Sequence, residues 1–137
     1  MSSGPYSLFL DDNRSPGDVK WISLPIVKWR IVRSYKDFVG IITKENLPVN
    51  ISWDHDLSIS SYQEFHRADA SGEPINYTNI EEKTGYDCAK WLVSYCAERN
   101  LNLPNYTVHS WNPVGKKNIE SILESYTRSR RHDRDNS

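Results

Sequence analysis

Two cysteines and one methionine are scattered through 137 residues, and no apolar run approaches the roughly 20 residues needed to span a bilayer. Each scarcity excludes something. Cys88 and Cys96 stand eight positions apart within a helical pattern, too far apart for a disulfide, and they lack the paired spacing of a zinc site. They read as buried apolar thiols of a reducing compartment. The formal net charge of −1 and a pI near 6.4 leave no bulk attraction for nucleic acid or a membrane. The one basic excess, "TRSRRHDR" near the end, is diluted by Asp133 and Asp135. The opening "MSSGPYSLFLDD" lacks the basic start and long apolar stretch of a signal peptide, so a cytoplasmic protein is expected. Five Trp and eight Tyr suit either a compact core or base stacking, and their number does not choose between them.

What is present alternates. "YSLFL" (6–10) is a short apolar run without a period of two, as in a strand buried on both faces. Residues 13–27 carry Pro16, Gly17 and Pro25 and read as a loop, and "KWRIVRS" (28–34) as a second strand. Ser34 with Asp37 caps a helix over about 35–45, its inner face Phe38, Val39, Ile41 and Ile42. "VNISWD" (49–54) is the third strand. The polar stretch 58–83 has no clear period and reads as a long loop or insert. Thr84 and Asp87 cap a helix whose apolar face is Cys88, Trp91, Leu92, Tyr95 and Cys96. "YTVHS" (106–110) is the fourth strand, and Asn112-Pro113 opens a last helix over about 114–127. From Arg128 the chain reads as a charged, flexible tail (128–137) after a single domain of 1–127. The expected fold is a three-layer α/β domain with a parallel sheet in order 2-1-3-4, flavodoxin-like and without a fifth strand.

In that order strands 1, 3 and 4 are neighbours, and their carboxyl ends share one edge, where ligands bind in open α/β sheets. Strand 1 ends in Asp11-Asp12, strand 3 in Asp54-His55-Asp56, and strand 4 in His109-Ser110. Four carboxylates gathered together repel one another unless a cation or shared protons intervene. Asp11, Asp12, Asp54 and Asp56 are therefore candidate ligands of Mg²⁺ or Mn²⁺. The last helix starts beside them, with Ser110, Asn112, Lys116 and Lys117 as candidate phosphate contacts at its positive end. Singly, each feature has a plainer reading as a turn, a cap or a solvated helix face. Regular alternation would turn His55 away from its neighbours, so its place in the crevice requires the strand to end or twist at Asp54.

"LFLDDNRSP", "ISWDHDL", "TGYDCAKWL" and "VHSWNPVGKKNI" resemble, in order, the blocks of the cyclic-phosphate processing receiver domains of bacteria and phages. The resemblance spans residues 8 to about 119 and implies a receiver-like core that handles cyclic phosphates, including those at RNA ends. Receiver domains keep an acidic pair at strand 1, matched by Asp11 and Asp12, and a phosphoacceptor at strand 3, matched by Asp54. Their Ser or Thr at strand 4 corresponds to Ser110. The lysine after a fifth strand has no counterpart here beyond Lys116 or Lys117. His55 and His109 are additions to the receiver pattern and speak against phosphorelay signalling.

The expected activity is a phosphoesterase acting on a cyclic phosphate such as a 2′,3′-cyclic nucleotide. His55 and His109 would exchange the protons beside Asp54, since imidazole gives and takes protons near neutral pH. The alternative is a non-catalytic receiver-like module that binds a nucleotide or a protein partner.

Overall fold

The computed structural model describes residues 4–80 and 83–135. Four strands, β1 (Ser7–Leu10), β2 (Trp29–Val32), β3 (Asn50–Trp53) and β4 (Asn105–Val108), form one parallel sheet in the order β2-β1-β3-β4. Four α-helices accompany them: α1 (Tyr35–Glu45), α2 (Ile59–Ser71), α3 (Gly85–Arg99) and α4 (Pro113–Asp135). This is the α/β, receiver-like order expected from the alternation of patterns.

Local chemistry sets the boundaries. The Ser34 hydroxyl accepts from the Asp37 amide at 3.1 Å to start α1, and Thr84 and Asp87 close a reciprocal capping box at α3. Asn100 ends α3 in the left-handed conformation that asparagine tolerates (φ 56°, ψ 48°), and Asn46 ends α1 at positive φ with extended ψ (φ 70°, ψ −175°). On one face of the sheet Leu8, Leu10, Ile51, Trp53 and Val108 pack against α1, α3 and α4 through Phe38, Ile42, Cys88, Leu92, Cys96, Ile119 and Leu123. Each such side chain contributes about 1.5–3 kcal/mol when fully buried. Both cysteines lie in this core as free thiols. Phe9 and Ser52 alternate to the other face, where Trp29 meets the edge of Phe9 at 6.2 Å and the 11–28 connection crosses.

Register places the strand ends. Leu10 is level with Trp53, and Trp53 with Val108. The next residues, Asp11, Asp54 and His109, therefore follow at one height. Backbone bonds continue the ladder past the strands: Asp54 N–H to Leu10 O at 3.0 Å, and His109 N–H to Trp53 O at 2.9 Å.

Two expected segments differ. The stretch 58–83 is not a structureless loop, since α2 and a 3₁₀ turn at Tyr77–Asn79 occupy it. Its helical period was hidden because the buried positions Ser61, Glu64 and Ala68 recur at i, i+3 and i+7 but are polar or small. Ser58 caps α2 and Gly72, at φ 73°, ends it. The last helix runs to Asp135 instead of stopping near 127. Arg130 holds this extension by donating to Asn102 Oδ1 at 2.7 Å and Asn100 Oδ1 at 3.0 Å. Residues 81 and 82 of the expected loop, and 136 and 137 of the expected tail, lie outside the described residues.

Gly85 donates its amide to His55 O at 2.8 Å, and a Cβ there would overlap the Asp54 carbonyl. Gly85→Ala is expected to destabilise the fold by about 3 kcal/mol. Gly40→Ala, in open space within α1, should instead stabilise by about 0.5–1 kcal/mol. Urea denaturation of both variants measures the contrast.

Candidate functional site

Asp11, Asp54 and His109 stand together at the ends of β1, β3 and β4, all buried, with one donor atom of each within 4.8 Å of the others. His109 Nε2 lies 3.0 Å from Asp11 Oδ2, and its Nδ1 lies 2.6 Å from the Ser52 hydroxyl. The other Asp11 oxygen accepts the amides of Asn13 at 2.9 Å and Arg14 at 2.8 Å. Phe9 stacks on the imidazole at 4.4 Å and 6°, and the Trp21 indole donates to the His109 carbonyl at 2.9 Å. Ser52, His109 and Asp11 thus form a hydrogen-bonded chain. Ser52 is buried within the sheet, and its hydroxyl orients the ring.

His55 is elsewhere. β3 does end at Trp53, yet alternation continues, and His55 falls on the helix-covered side opposite Asp54. Its Nδ1 meets Asp56 Oδ1 and its Nε2 the Tyr77 hydroxyl, each at 2.9 Å. Gly115 of α4 backs the ring so closely that a Cβ would overlap it. Asp56 also takes the Ser61 hydroxyl at 2.5 Å, while Asn118 donates to Tyr77 at 3.0 Å. Glu64 holds the Tyr77 turn by accepting from Asn76 N–H and Asn79 Nδ2, each at 2.7 Å, as well as from Arg67. The expected single crevice is therefore two hydrogen-bonded groups, and Asp56 belongs with His55 instead of with Asp11 and Asp54.

The other expected contacts divide likewise. Asn112 is buried and caps α4, its Oδ1 accepting Gly115 N–H at 2.9 Å, while the Ser110 hydroxyl accepts Asn112 N–H at 3.1 Å. Lys116 and Lys117 follow in the first turn, half-buried and exposed, and pair with none of the three buried aspartates. Asp12 is half-buried at the rim. Sequence reasoning passed over Arg14, Ser52, Ser61, Tyr77 and Asn118. Ser52 carried a signal, being a polar residue in an apolar strand and two positions from Asp54. Tyr77 and Asn118 carried none.

A family model described as the cyclic-phosphate processing receiver domain matches residues 6–125, which takes in the whole sheet and both groups. The chain belongs to that family. No curated protein and no solved structure matches it significantly. In this receiver domain Asp11 and Asp12 directly follow β1, and Asp54 directly follows β3.

The carboxyls of the receiver domain's site are driven apart. Burial would raise Asp11, but the His109 hydrogen bond and the Arg14 and Asn13 amides outweigh it and hold the carboxyl below its ordinary value. Asp54 is pushed up to about 8, first by burial and then by the charge of Asp11. Asp12 is raised by burial and by Asp11. Asp56 is lowered despite burial, because His55, Ser61 and Asn112 bond to it. His109 is lowered by burial more than Asp11 raises it, so the neutral ring donates Nε2–H to Asp11 and accepts at Nδ1 from Ser52. Two carboxyls and an imidazole that close together could hold a divalent cation, which would also relieve the repulsion that adds to burial in raising Asp54.

The sign of Asp54's contribution follows. In the unfolded chain its proton leaves near pH 3.8, and in the folded protein near 8. Between these values the unfolded state binds fewer protons, so this group lowers stability as pH rises from about 4 to 8. Asp54→Asn is expected to be more stable than wild type without divalent ions. The gain widens over that window to the order of several kcal/mol and is flat above it. Thermal melts in chelator across pH 4–9 measure it, and a constant difference would refute the assignment.

Proposed function

We propose that this chain hydrolyses a cyclic phosphodiester, such as a 2′,3′-cyclic nucleotide or the cyclic end of an RNA, beside Asp11, Asp54 and His109. The observation that carries the reading is the convergence of two buried carboxyls of opposite protonation tendency and an imidazole, in a chain of the cyclic-phosphate processing family. Mg²⁺ or Mn²⁺ held by Asp11 and Asp54 would supply positive charge to the phosphoryl oxygens, in the way such ions bind through one or two carboxylates plus substrate phosphate.

The proton work belongs to His109. In its other tautomer, with Nδ1–H donated to Ser52, the neutral ring takes at Nε2 a proton from the water that attacks phosphorus. The new P–O bond forms, one ring P–O bond breaks, and the departing oxygen receives that proton from His109. Asp11 stabilises the imidazolium in between. His55 is a positioning residue in this reading. Its bonds to Asp56 and Tyr77 fix the backbone after Asp54, whose Oδ1 accepts the His55 amide at 2.9 Å.

A second reading is a non-catalytic module that binds a nucleotide or protein. It is favoured by the exposed indoles of Trp21 and Trp111, 4.7 Å apart. Calorimetry followed by recovery of intact ligand would support it.

With 2′,3′-cyclic mononucleotides and Mg²⁺ or Mn²⁺, wild type is expected to release the monophosphate. His109→Ala, checked for folding by its thermal melt, is expected to lower kcat by about 10²–10⁴-fold. His55→Ala should lose stability ahead of turnover per folded molecule. Absence of turnover by wild type on any cyclic phosphate overturns the proposal.

A further inference from the structure

An open cleft of about 460 Å³ separates the loop after β1 from one side of α2, in the size range of small-molecule sites. Asp12 and Arg14 form one wall, and Ser58, Tyr62, Gln63 and His66 the other. We infer that this cleft receives the nucleoside of a nucleoside cyclic phosphate, and that Arg14 binds its phosphoryl oxygens; this rests on the cyclic-phosphate reading above.

Arg14 joins the two places. Its Nε lies 3.8 Å from Asp11 Oδ2, and its Nη2 lies 3.5 Å from the Tyr62 hydroxyl across the cleft. Its Nη1 is enclosed without a hydrogen-bond partner, which leaves the charge under-compensated, and Nη2 on the exposed side is the donor that an anion in the cleft can meet. A planar guanidinium presents paired N–H groups that match two phosphoryl oxygens. The side chain is held ready. Its guanidinium lies over the Trp21 ring at 5.1 Å, and Trp21 is tied to the His109 carbonyl. Its backbone amide is bound to Asp11, and its carbonyl accepts Arg33 Nη1 at 2.6 Å. A phosphate on Arg14 therefore sits beside Asp11, with its organic substituent directed along the cleft.

The far wall suits a base more than a bare sugar. Tyr62 is 41% exposed, and its ring lies 6.1 Å from that of His66, also exposed. Two aromatic faces offer stacking, and the Gln63 amide offers both a donor and an acceptor to a base edge.

The test compares dissociation constants by calorimetry for a 2′,3′-cyclic mononucleotide and for ribose 2′,3′-cyclic phosphate, which lacks the base. Binding is read without reference to turnover, so inactivity of wild type sinks the phosphoesterase proposal while these constants still decide the inference. Wild type is expected to prefer the nucleotide, and Tyr62→Ala to reduce that preference by about 5- to 100-fold. Arg14→Gln is expected to weaken both probes by a similar factor, at least about tenfold, with Arg14→Lys recovering part of the loss. An unchanged preference in Tyr62→Ala, undiminished affinity in folded Arg14→Gln, or no binding of either probe by wild type overturns the inference.

Discussion

The carboxylate of Asp11 is the point on which the site's geometry depends. One oxygen gathers the amides of Asn13 and Arg14 and so turns the chain sharply out of β1. The other binds His109, 98 positions away, and spans the end of β3 to reach it. A group so enclosed keeps its charge only because these donors replace water. Its persistent charge in turn raises Asp54, so the properties of the three residues arise together.

Much of this was legible because it depends on local chemistry. The caps at Ser34, Thr84 and Asn112, the short two-sided strands and the turn signals between them lead to the observed order β2-β1-β3-β4. Strand order then brings Asp11, Asp54 and His109 together, because register alone decides which residues share a height. The helix α2 was not legible from periodicity, since it is held by Glu64, Ser58 and Ser61 hydrogen bonds more than by an apolar stripe. Its end signals, Ser58 and Gly72, were present but carried no apolar pattern between them.

His55 teaches a different lesson. Proximity in sequence suggested that it shared a wall with Asp54, yet the pleat sends neighbours to opposite sides even after pairing has stopped. The two histidines therefore do different physical jobs. One is bound between a strand serine and the key aspartate. The other is clamped between Asp56, Tyr77 and the bare backbone of Gly115.

The bond from Gly85 N–H to His55 O closes residues 56–84 at their base, so this excursion leaves the sheet and returns to nearly the same point. Changing its length alters closure entropy only slowly, while strands and register below it stay as they are. Ser61 and Tyr77 are its anchors to the His55 group. The outer wall of the cleft is thus carried on a segment closed at its own base, while Asp11, Asp54 and His109 stand outside it.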